Sequence, residues 1–85
     1  MHIYELRPIR REKSFYGKAV VIDTGKIRLL RSYNTIVAYF DKKGRLHRTW
    51  DGWSMTTERH VDAFNGGGIG KSEWLKMKVE KIPAY

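Results

Sequence analysis

Apolar positions fall into short strand-like runs over the first half of the chain and into a helical period only after residue 52. From Phe15 to Asp23 the β-branched cluster Val20-Val21-Ile22 predicts a buried strand, and Thr24-Gly25 predicts a turn into a second strand. Ile27 and Leu29 alternate with Lys26 and Arg28 until Leu30-Arg31 breaks the alternation, the mark of a bulge, and Asn34 follows as a kink or turn. Thr35 to Phe40 has high strand propensity, Asp41-Lys42-Lys43-Gly44 supplies a turn with positive φ at Gly44, and Leu46 to Trp50 returns as a strand with Arg48 at the edge of its packed face.

The period then changes. Thr56 is the predicted N-cap of a helix over about 56–65, with Thr57, His60, Val61 and Phe64 forming its core stripe and Gly66-Gly67-Gly68 ending it. Lys71 to Met77 predicts a further helical turn capped by Ser72, with Trp74 and Met77 on one side, and Val79 and Ile82 a last strand-like stretch closed by Pro83. At the other end Pro8 and the run Arg10-Arg11-Glu12-Lys13 carry no period, so residues 1–14 read as a flexible basic arm. The expected fold is α+β: a β-meander of three to four antiparallel strands packed by one main helix and a short C-terminal helical turn, in a single domain over 15–85.

Composition narrows the chemistry. A length of 85 residues fits one domain, and 41% hydrophobic residues are enough for a core. With no cysteine, disulfides, thiolate metal sites and cysteine nucleophiles are excluded, which fits a reducing compartment. No apolar run approaches the roughly 18 residues of a membrane span, and the charged N-terminus has no signal-peptide core, so a cytoplasmic protein without membrane contact is expected. The net charge of +8 is unevenly placed: residues 1–48 hold 12 Lys/Arg against 4 Asp/Glu, and the remainder hold 5 of each. Such an excess draws polyanions to one surface.

Several motifs compete as chemistry. Gly66-Gly67-Gly68-Ile69-Gly70-Lys71-Ser72 looks like a phosphate loop, but the position needing glycine is Asn65, and the run follows a helix instead of a strand. A metal site would have to use His2, His47 or His60 with Asp51 or Asp62, at spacings unlike any recognised ligand pair. Metal-free RNA cleavage could use His47 and His60 as acid and base, with Arg59, Lys71 and Tyr33 around them, provided the fold brings them together. The binding reading uses cations interleaved with rings: Arg28, Arg31, Tyr33, Lys42, Lys43, Arg45, Arg48 and Trp53, joined by Arg10, Arg11 and Lys13 of the arm. Arg59 and His60, in the first helical turn, oppose the helix dipole unless they meet something acidic or point inward.

The segments Ser32-Tyr33-Asn34-Thr35-Ile36-Val37-Ala38 and Trp53-Ser54-Met55-Thr56-Thr57-Glu58-Arg59-His60, with Phe64 and Glu73-Trp74-Leu75, resemble a small uncharacterised family of phage, plasmid and other mobile-element proteins of Gram-positive bacteria. The resemblance covers roughly residues 17–77 and implies no activity. It implies a context of DNA processing or inhibition of host defence, and puts weight on Ser32, Tyr33, Thr35, Ser54, Thr56, Thr57, Arg59, His60 and Phe64.

The reading is a small basic binding module rather than an enzyme, contacting phosphates of DNA or RNA with little sequence readout. An inhibitor or adaptor meeting an acidic protein surface is the alternative, and a metal-free ribonuclease the third. No catalytic residue, metal or cofactor is implied, and oligomeric state is left open, a homodimer through a sheet edge being one outcome.

Overall fold

The segments of period 2 become five strands joined in chain order. The computed structural model describes residues 1–85. The strands are β1 His2–Glu5, β2 Ala19–Asp23, β3 Arg28–Ser32, β4 Thr35–Phe40 and β5 Leu46–Arg48, all antiparallel in the order β1-β2-β3-β4-β5. Two helices follow, α1 Met55–Asn65 and α2 Lys71–Lys76. The α+β meander is as expected; the sheet has one strand more than expected because part of the basic arm joins it. His2–Glu5 pair with Val20–Asp23, which satisfies the backbone groups that β2 would otherwise leave on an open edge.

The break in alternation at Leu30-Arg31 is a bulge. Leu30 pairs with Ala38 and Arg31 with Ile36, so Val37 has no opposite number. Val37 and Ala38 therefore both enter the core, with exposures of 1% and 0%. At the first hairpin, Gly25 takes φ 90° and its amide donates to Asp23 Oδ1 at 2.9 Å.

The N-cap of α1 lies two residues earlier than expected. Ser54, not Thr56, is the N-cap: its backbone is extended and its Oγ accepts the Thr57 amide at 3.1 Å, while Thr56 is already inside the helix. At the other end Gly66 adopts φ 77°, and the Gly66 and Gly67 amides donate to the carbonyls of Ala63 and Asp62, so the glycine run is a helix stop. With Val61, Ala63 and Phe64, α1 covers one face of the sheet, where Phe15, Ala19, Val21, Leu30, Ala38 and Phe40 meet it and Trp74 of α2 closes the core.

That face also holds Arg48, 5% exposed. Its guanidinium donates to the carbonyls of Trp50 and Asp51 at 2.8 Å and of Trp74 and Met77 at 3.2 Å, and lies 4.9 Å from the Trp74 ring centroid. One side chain thus joins β5, the 50–52 loop and the end of α2, adding to the Met77 amide at the Trp74 carbonyl and meeting the Met77 carbonyl beyond the helix. Gly52 completes this junction: a Cβ there would come within 2.3 Å of the Trp50 ring, and its carbonyl accepts the Trp74 indole N–H at 2.9 Å.

The opposite face carries the row Ile3, Ile22, Leu29, Tyr39 and His47, read across the strands by register. The C-terminal tail runs along its margin. Val79 bridges Arg48 in parallel, the Glu80 amide donates to the Arg48 carbonyl at 2.8 Å, and Pro83 to Tyr85 share a groove with Ile27 and Lys42 at the hairpin tips. No helix is long and apolar enough to cross a membrane.

Candidate nucleic-acid interface

A meander places alternate turns at the same end of its sheet, so the β2–β3 and β4–β5 turns lie together. Asp23, Lys26, Arg28, Asp41 and Lys42 line one groove of about 220 Å³ there, with Lys43 and Arg45 in the adjoining turn. None of the five cations has a carboxylate within 4.0 Å. The two acids among them are occupied: Asp23 accepts the Gly25 amide, and Asp41 accepts the amides of Lys43 and Arg45 and a ring N–H of His47. Arg28 is held over the Phe40 ring at 4.8 Å, which fixes its direction while leaving its donors exposed. The result is a cationic rim whose two acids line the same groove but are hydrogen-bonded to turn amides and His47.

The structure divides the other expected contact residues. Arg31 and Tyr33 are exposed at the opposite end of the sheet. Arg10 is drawn to α1, its Nε donating to Asp62 at 2.8 Å, and Arg59 lies 3.5 Å from Glu12, so these two cations are partly neutralised; Arg11 and Lys13 have no such partner. Trp53 is half-buried beneath the Lys71 ammonium, 4.3 Å from its ring.

Two expected contact residues are interior and leave the set. Arg48 was placed at a face edge by alternation, but its guanidinium is consumed by four carbonyls. His60 is 1% exposed, its Nδ1 hydrogen-bonded to Ser32 Oγ at 2.8 Å, with that hydroxyl 3.0 Å from Thr57 Oγ1 and the ring 4.5 Å from Phe15. Burial, with the Lys18 charge adding to it, lowers the His60 pKa from 6.5 to about 4, so the ring is neutral at pH 7. The opposition of His60 to the helix dipole is thereby removed, since no charge sits there.

His47 has the reverse surroundings. Its ring stacks on Tyr39 at 4.6 Å, Nε2 donates to Asp41 at 2.7 Å and Nδ1 to Glu80 at 2.6 Å. The hydrogen bond to Asp41, then that to Glu80, raises its pKa, and His47 with the turn amides lowers Asp41 to about 2. His47 and His60 lie on opposite faces of the sheet by register and contact, so they cannot act as an acid–base pair on one substrate.

Sequence reasoning overlooked Lys26, though its place beside Gly25 in a hairpin turn was the available signal. It also overlooked Lys18, whose ammonium is 5.7 Å from the Tyr33 ring centroid.

The model of a family described as "Family of unknown function (DUF8033)" matches residues 4–81. No curated protein and no solved structure matches the chain.

Proposed function

The chain belongs to this family of unknown function, and from that premise we propose that it is a small basic nucleic-acid-binding protein that grips phosphates with little sequence readout. One observation carries the reading: Lys26, Arg28, Lys42, Lys43 and Arg45 converge at one end of the sheet without acidic partners, while Asp23 and Asp41 are turned to backbone amides and His47. Two hairpin tips present cations to a charged backbone, mostly on flexible stems and with Arg28 alone directed by a ring contact, a pattern that suits phosphates more than base edges.

The test is fluorescence anisotropy with labelled single-stranded and duplex oligonucleotides from 50 to 200 mM salt. Four to five phosphate contacts give a log–log salt slope of about −4 on duplex. Replacing Lys26, Lys42, Lys43 and Arg45 by Gln weakens all nucleic acids alike and reduces the slope by about 1 per cation. Absence of binding at 50 mM salt, or equal binding by the quadruple variant, sinks the reading. A partner recovered from lysate that survives nuclease treatment would assign the rim to an acidic protein instead.

A further inference from the structure

Only two residues other than glycine have positive φ, and both are tyrosines: Tyr16 at 53° and Tyr33 at 56°. A bulky side chain is disfavoured in this region, which glycine or asparagine enters readily. Both side chains are also largely in solvent, Tyr16 at 78% and Tyr33 at 48% exposure, so Tyr16 in particular recovers little of that cost by burial. Strain retained at exposed rings points to a use outside the fold.

The two turns are neighbours. The Tyr33 amide donates to the Lys18 carbonyl at 2.7 Å, and the Lys18 amide to the Phe15 carbonyl at 3.0 Å, which closes the turn containing Tyr16. Tyr33 is backed by His60, with ring centroids 5.9 Å apart, and His60 is itself wedged on Phe15. Lys18 is 5.7 Å from the Tyr33 centroid and Arg31 is exposed two residues before it. Exposed rings, one of them backed by His60 and lying beside the unpaired Lys18, have the chemistry of a stacking platform: each ring takes a base face, and the cation takes an adjoining phosphate.

Resting on the nucleic-acid reading above, we propose that Tyr16 and Tyr33 form a base-stacking site, which makes the ligand a single strand with unpaired bases. A duplex presents no base face and can use only the cationic rim. The six-residue β4 separates this site from the rim by about 20 Å, a distance compatible with sites of on the order of 4–16 nucleotides.

The test uses the full chain, a labelled 12-nucleotide single strand and the matching duplex, with Tyr16→Asn and Tyr33→Asn. Asparagine suits positive φ, so Tyr16→Asn is expected to raise the melting temperature by a few degrees. The same variant is expected to weaken single-strand binding about five- to a hundredfold and leave duplex binding within twofold. Tyr33→Asn behaves likewise in binding, and Tyr33→Phe retains affinity. Unchanged single-strand affinity in both Asn variants, or equal loss on single strand and duplex, overturns the stacking site. Capture by Tyr16 and Tyr33 of a protein partner that survives nuclease also overturns it. The outcomes separate from those of the rim: if the quadruple Gln variant loses binding while the tyrosine variants do not, only the stacking site falls.

Discussion

The two faces of the sheet each hold a partly or wholly buried histidine and treat it in opposite ways. Under α1, His60 meets hydroxyls and aromatic rings and stays neutral; on the other face, His47 sits between two carboxylates that favour its cation and raise its pKa. The covered face follows the same rule for Arg48, whose charge is met by carbonyl dipoles and by no carboxylate. Residue type alone therefore says little about function here. What decides it is whether an acid reaches the group, and on the covered face none reaches these two.

The largest effect expected from breaking this contrast comes at Arg48. Arg48→Met keeps length and apolar contact but removes the side-chain donor from four carbonyls, of which that of Trp74 keeps the Met77 amide while those of Trp50, Asp51 and Met77 lose the guanidinium. A loss of about 3 kcal/mol or more is expected in urea unfolding, with α2 losing hydrogen-exchange protection first. A neutral outcome would mean that water replaces the guanidinium without cost.

Next is the acid response of His60. Its folded pKa is depressed from 6.5 to about 4, so between these values the unfolded chain takes up a proton that the folded one refuses. Stability is full above pH 6.5 and falls as pH drops toward 4, by on the order of 3 kcal/mol. His60→Gln should flatten this slope; a slope that survives in the variant would assign it elsewhere.

The smallest effect belongs to His47, and its sign is reversed. Its folded pKa is raised, so its contribution is fully present below pH 6.5 and is lost as pH rises through the folded value. Asp41 acts only at the acid extreme, its contribution being present above 3.8 and lost as pH falls toward about 2. His47→Gln is expected to cost about 1 kcal/mol, because all three groups are partly exposed, and to free the tail from Glu80 onward in hydrogen exchange. If tail protection is unchanged, the Val79 and Glu80 backbone contacts with Arg48 hold it alone.

These contrasts mark what the sequence made legible. The hairpin at Thr24-Gly25, the bulge at Leu30-Arg31 and the stripe of α1 are local patterns, written in residues two to four apart, and each is found where it was expected. Arg48 was misjudged because its partners at 74 and 77 are remote, and strand alternation cannot distinguish an edge cation from one enclosed by carbonyls. The cap was expected at Thr56 and lies at Ser54, which carries a hydroxyl as well; the extended backbone at Ser54 is what distinguishes it. The basic rim was partly legible, since turns in a meander alternate ends; the strained tyrosines were not, because φ at a turn is not encoded by residue type when the residue is an unfavourable one.

The unbroken order of the strands has a kinetic consequence. From β2 onward each strand pairs with its predecessor across a short turn, β3 and β4 across only Tyr33 and Asn34, so this part of the sheet assembles through short loop closures with small entropic barriers, and β1 joins it across the longer segment 6–18. The long-range contacts, Arg10 to Asp62 across 52 residues, His47 to Glu80 across 33 and Arg48 to Trp74 across 26, wait for that scaffold. The chain is thus built to zip from its first hairpins and to lock at its C-terminal third, and when it unfolds, the lock opens before the zipper.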